Sequence, residues 1–260
     1  ARVYAEAEAH GVEIRRGNRV TRVSASQEEA ERSGLVVDLD DHERLAVDLV
    51  IAATGVRPNA ELGAEAGLEL GAAGSIKVDP TLRTSAAEIY AAGDCADALH
   101  GVTGNSTWIP LALRANRAGK LAGANLLGAA EEAPPVMGTA VFKFFGLEVA
   151  RTGLSLDEAH RGGFEPVAAA IEAGTRAHYY PGGGKLSVWL LADRRSRRLL
   201  GGAMVGPEWA AAKIDTVAAA LHAKMTVDQV YEMDLAYAPP FGPSWSPLLT
   251  CASRLLKQLR

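Results

Sequence analysis

Residues 89–96 read IYAAGDCA, and the reading of this stretch decides the fold. An apolar start thins to Ala91, Ala92 and Gly93 and then stops on a carboxylate, Asp94. Small residues let another molecule approach the backbone closely, and an acid at a strand end accepts hydrogen bonds from hydroxyls. In an open α/β sheet, ligands bind beyond the carboxyl ends of the strands, so Gly93 and Asp94 are candidate ligand contacts. Asp94 is equally able to cap the turn that follows it.

Upstream, Leu49 to Ala53 form a second unbroken apolar run, the pattern of a strand buried on both faces. It ends in ATGVRPN (53–59), where Gly55 either admits a ligand or makes a turn. Val36, Val37 and Leu39 are placed to pair with Leu45 and Val47 across a turn at Asp40, Asp41 and His42. A polar, Glu-rich segment near residues 26–33 precedes them, and SIKVD (75–79) reads as another strand. Downstream, Pro110 is expected to open a helix running to Gly128, with Ala112, Ala115, Gly119 and Ala122 making one side small.

EEAPP (131–135) reads as a linker, because two prolines cannot continue a helix. Beyond it, alternation predicts strands at 139–145, 147–153, 165–172, 175–180, 185–193 and 198–206. Ser155 with Glu158, and Thr226 with Gln229, have capping-box spacing, and helices are expected near 209–224 and from Pro247.

With 260 residues, 48% of them hydrophobic, the chain is long enough for more than one domain. A net charge of -4 argues against nucleic acid, and Arg194, Arg195, Arg197 and Arg198 read as a solvated hairpin tip. No apolar run reaches the roughly 18–20 residues needed to span a bilayer, so no membrane partner is expected. Two cysteines, Cys95 and Cys251, support neither a disulfide framework nor a CxxC metal site, and a cytoplasmic setting is expected. There is no GxGxxG and no P-loop. The opening ARVYAEAEAHG reads as the middle of an amphipathic helix ending at Gly11, and the natural protein is expected to begin upstream.

ATGVRPN, a Gly-rich connection, TS with IYAAGDCA, and then IPLA before a small-residue helix resemble the flavin-dependent pyridine nucleotide-disulfide oxidoreductases. FKFFGLEVARTGLSLDEAH (142–160), AHYYPGGGKLSVWLL (177–191) and DLAYAPPFGPSWSPL (234–248) look like the dimerisation domain of coenzyme A-disulfide reductases, NADH oxidases and polysulfide reductases. The resemblance implies an α/β (α+β) fold. Residues 1–80 would be the second half of an NAD(P)-binding Rossmann-like domain and 81–133 the last segment of an FAD-binding one. Residues 134–260 would form an α+β dimerisation domain with an antiparallel sheet, making a homodimer.

It implies further that Asp94 accepts a hydrogen bond from the ribityl chain of FAD, with Gly93 and Gly55 at the two strand ends. The helix after IPLA would aim at the flavin ring, making Pro110, Leu111, Ala112 and Ala115 candidate neighbours, although each is also an ordinary packing residue. Tyr180 and Tyr237 would reach the partner's flavin and cysteine, the catalytic positions. Otherwise they are interface tyrosines. His100 is either substrate-proximal or a solvated loop residue. The activity implied is electron transfer from NAD(P)H through FAD to a disulfide, polysulfide, peroxide or oxygen, with the redox cysteine upstream of Ala1. This chain alone is then expected to be inactive. The alternatives are a dimerisation module without catalysis, and a ferredoxin-reductase type flavoprotein, which YAPPF and YYPG disfavour.

Overall fold

The computed structural model describes residues 2–25 and 34–260; the Glu-rich stretch near 26–33 lies outside them. The chain forms two compact units, Ala1–Val56 and Arg57–Arg260.

The first unit starts with helix α1 (Arg2–Ala9), and Gly11 follows at φ +74°, the left-handed conformation with which helices commonly end. Strands β1 (Val20–Ala25), β2 (Leu35–Leu39) and β3 (Arg44–Val47) make an antiparallel sheet in that order. The expected hairpin is present, with Leu35 opposite Val47 and Val37 opposite Leu45. The strand expected at 49–53 is not. Those residues are irregular, with Leu49 73% and Ile51 80% exposed. A strand needs partners for its N–H and C=O groups, and among the described residues none pairs with this segment.

In the second unit, α2 (Glu61–Glu65) leads into a region held by single bridges rather than by ladders. Ile76 of SIKVD bridges Leu70 and Ala96, and Tyr90 bridges Arg83. Neither SIKVD nor Ile89–Ala92 is therefore a strand, and Ile89 is exposed while Ala91 is buried. Residues 93–95 form one tight 3-10 turn, followed by the short strands β4 (Ala98–Leu99) and β5 (Ser106–Thr107) and the helix α3 (Ala112–Leu126). Pro110 precedes that helix instead of opening it, since Leu111 is the extended N-cap residue at φ -127° and ψ 136°.

The remainder is a five-stranded antiparallel sheet. Its members are β6 (Ala140–Phe144), β7 (Leu147–Gly153), β8 (Pro166–Gly174), β9 (Lys185–Asp193) and β10 (Leu199–Gly206), in the order β6-β7-β10-β9-β8. The helix α4 (Leu156–Arg161) follows β7, and α5 (Ala210–His222), α6 (Val227–Tyr231) and α7 (Pro247–Gln258) follow β10. α5 packs on β7 and β10, and α7 on β8 and β9. Leu186, Val188, Leu190 and Ala192 are buried at period two along β9, while Ser187 and Trp189 between them are only half-buried. Both capping boxes are complete: Ser155 and Thr226 each accept from the backbone N–H three residues on, and Glu158 and Gln229 reciprocate. Residues 175–180 are not a strand, because β8 ends at Gly174 and 175–184 is the loop joining it to β9.

The arginine tip is solvated, as expected, with Arg194 and Arg195 exposed, and each of its arginines also has a partner. Arg195 pairs with Glu165, Arg197 with Asp228, Arg198 donates to the Gly101 carbonyl, and Arg194 to that of Gln258. The EEAPP segment is also tied down. Asn125 donates to the Thr81 and Glu131 carbonyls and accepts from the Glu131 N–H, each at 2.8 Å, and the Ala133 N–H meets the Pro80 carbonyl at 2.7 Å.

Candidate functional site

Gly93 opens the 3-10 turn at φ +83°, a conformation that a side chain would strain. A Cβ placed on Gly93 would lie 3.9 Å from that of Ala115, so the first turns of α3 sit directly against the box. Asp94 is exposed, and its carboxylate neither caps the turn nor bonds to any other described group. Its backbone carbonyl is occupied, accepting from Trp108 Nε1 at 2.8 Å.

The turn is fixed by a residue the sequence does not advertise. The buried guanidinium of Arg114 donates to the carbonyls of Gly93 at 2.7 Å, Ala96 at 3.0 Å and also Asp97. Burial pulls the Arg114 pKa below the ordinary arginine value, and the charges of Asp94 and Asp97 oppose that shift. Asp97, buried as well, accepts from the Val78 N–H at 3.0 Å and from the Ser106 hydroxyl. One signal was available. A cation in the first turn of a helix opposes the helix dipole and needs partners of its own.

The amino end of α3 has no side-chain cap; Ala112 is exposed there, and Leu111 and Ala115 are half-buried. A cleft of about 840 Å³ runs along this helix, walled by Leu111, Arg114, Leu121, Pro135 and Met137. A second hollow, of about 550 Å³, lies between Trp108, Pro110 and Arg151. His100 is in its wall, buried rather than solvated, with Nδ1 accepting from the Val102 N–H at 3.1 Å. Burial lowers the His100 pKa below its ordinary value; Glu158 opposes the shift and Arg151 adds to it. Gly55, at φ +94°, has open space where a Cβ would be.

The tyrosines form a separate group, with no hydrogen bond or ring contact among the described residues joining them to the box. Tyr237 meets Tyr179, hydroxyl to hydroxyl at 3.3 Å, and not Tyr180, whose ring lies under the Arg176 guanidinium at 6.0 Å. Side-chain direction along a short loop decides which of two adjacent tyrosines meets Tyr237, and spacing alone does not carry it. Hydrogen bonds from Ser244 and then Tyr179 lower the Tyr237 pKa, while that of Tyr179 is raised by its bond to Tyr237. Of the cysteines, Cys95 is half-buried and donates to the Ala92 carbonyl. Cys251 is fully buried in α7, which pushes its thiol up to about 12.

A glycine turn bearing a free acid, backed by a helix amino end, joins here to an antiparallel sheet unit. Residues 1–119 match the family profile described as pyridine nucleotide-disulphide oxidoreductase, and residues 139–247 match the dimerisation domain of that family. The chain belongs to this family.

Among curated proteins it is 43% identical over 219 residues to the NAD(P)H sulfur oxidoreductase (CoA-dependent) of Pyrococcus furiosus, covering 84% of this chain and 49% of that one. It is 37% identical to the NADH oxidase of Methanocaldococcus jannaschii, over 82% of this chain and 47% of that one. Among solved structures, the NAD-dependent persulfide reductase from A. fulgidus superposes with a TM-score of 0.90 at 33% identity, covering 98% of this chain and 47% of that one. This member of the oxidoreductase family thus spans about half the length of the curated relatives it matches.

Proposed function

We propose that this chain is part of a flavoprotein oxidoreductase that passes electrons from NAD(P)H through FAD to a disulfide, polysulfide, peroxide or oxygen. The names of relatives support a sulfur, disulfide or oxygen acceptor, since they include a sulfur oxidoreductase, a coenzyme A disulfide reductase, an NADH oxidase and a persulfide reductase. Residues 1–80 are assigned to the nicotinamide-nucleotide domain, 81–133 to the FAD domain and 134–260 to a dimerisation domain that makes a homodimer. A cytoplasmic setting accords with the cysteine usage.

The observation that carries this reading is the free carboxylate of Asp94 on a turn that Arg114 holds rigid. An exposed acid with no partner, beside the uncapped amino end of α3, fits a polyhydroxyl chain leading to an electron-rich ring. Asp94 would accept from a ribityl hydroxyl. Gly93 would keep the backbone open, and Leu111, Ala112 and Ala115, with Pro110 before them, would offer a flat, small surface to the ring. When bound, FAD supplies two-electron transfer between NAD(P)H and the acceptor. Tyr237, with its acidity raised by Ser244 and Tyr179, would hold or donate a proton near the acceptor. Tyr180 and His100 would line the approach.

In the full-length protein, Asp94→Ala removes a charged acceptor worth about 1.5–3 kcal/mol, so the apoprotein should bind FAD about 10- to 100-fold more weakly by fluorescence titration. Unchanged FAD affinity would remove Asp94 from the flavin site.

A further inference from the structure

The Tyr179–Tyr237 hydrogen bond joins two loops far apart in sequence, the β8–β9 loop and the segment before α7. Both tyrosines are well exposed, at 65% and 46%, so packing around the rings does not hold them in register. What does is a corner between β10 and α5.

Glu208 grips the first loop at its base. Its carboxylate takes a two-pronged bond from Arg176, Nε at 3.0 Å and Nη2 at 2.9 Å, and a third from the Thr175 hydroxyl at 2.6 Å. Arg176 then donates to the Pro181 carbonyl at 3.0 Å and lies over the Tyr180 ring, so one guanidinium spans the loop that carries Tyr179 and Tyr180. Thr175 closes the loop by accepting from the Gly184 N–H at 2.8 Å.

The next residue, Trp209, leans on the other loop. It sits at φ +71°, an uncommon conformation for a bulky side chain, and its ring meets Phe241 edge-on at 5.7 Å. The Ala177 N–H bonds directly to the Pro239 carbonyl at 3.0 Å, which completes the link between the loops. A strained residue that persists in a fold is held there by its surroundings, and such residues concentrate at functional sites.

We propose that the Glu208–Trp209 corner is the element that positions the Tyr179–Tyr237 pair, acting through Arg176 on one loop and Phe241 on the other. Glu208, Trp209 and Arg176 are positioning residues. They touch neither hydroxyl, and they set the distance between the two. The inference rests on the reading that Tyr237 serves the electron acceptor.

The test uses the full-length holoenzyme carrying fluorotyrosine, with Glu208→Gln, and with Arg176→Lys as a second variant that keeps the charge but loses the fork. Fluorine NMR should show the Tyr237 phenol titrating at higher pH than in the unaltered protein. NAD(P)H should reduce the flavin at the unaltered rate, and acceptor turnover should fall about tenfold or more. An unmoved Tyr237 titration in both variants overturns the proposal, and so does equal slowing of flavin reduction and acceptor turnover. If the titration moves but Tyr237→Phe leaves turnover intact, the corner still positions the pair, and the catalytic reading of Tyr237 fails instead.

Discussion

At the scale of single residues, the two ends of the box differ in how they use charge. Asp94 stays in solvent with a free carboxylate, while Asp97, three residues on, is buried and satisfied by Val78 and Ser106. The first is available to a ligand and the second is structural. His100 makes a measurable prediction at this scale. Burial lowers its pKa in the folded chain, so the unfolded chain binds the proton more readily once the pH falls below about 6.5. The stability this group contributes is present above that pH and is lost as the pH falls towards the folded value. His100→Asn, which keeps an acceptor for the Val102 N–H, should flatten the decline in denaturation midpoint as the pH falls below about 6.5. An identical decline in the variant would show that other groups produce it.

At the scale of elements, what the sequence made legible divides by the kind of signal. Period-two alternation located β6, β7, β9 and β10, and cap chemistry located α4, α6 and α7, because each of these elements is completed by neighbours within the unit. The unbroken apolar runs 49–53 and 89–92 carry a different strand signal, that of burial on both faces, without strand neighbours among the described residues to complete it, and they are not strands. In the candidate site, the glycine turn at Gly93 and the acid beside it were readable from composition. Arg114 left only the faint signal of a cation in a helix's first turn, and that Tyr179 rather than Tyr180 bonds Tyr237 depends on side-chain direction, which no short pattern encodes. Close strand approach also shows at this scale. Gly201 faces Gly153 across β10 and β7, and a Cβ on Gly201 would run into the carbonyl oxygen of Leu154. Backbone cannot give way as a side-chain tip does, so Gly201→Ala should lower the unfolding free energy by about 1–3 kcal/mol in denaturant titration. A change under about 0.5 kcal/mol would mean that the strands part more readily than this contact implies.

At the scale of the whole molecule, the sheet unit leaves large apolar side chains in the open. Phe142, Phe145, Phe241 and Trp245 are each at least 45% exposed. Together with the match to a dimerisation domain, this leads us to expect a dimer in sedimentation at micromolar concentration, and a persistent monomer would contradict it. The EEAPP segment has a consequence for how the molecule comes apart. With Asn125 stitched to residues 81 and 131, Ala133 to Pro80 and Val136 to Leu99, the passage from box to sheet is exposed yet pinned along its length. The Gly153 N–H on the Met137 carbonyl and Arg198 on that of Gly101 carry the stitching into the sheet, within one compact unit, so a single unfolding transition is the expected outcome in calorimetry, and two separate transitions would contradict it.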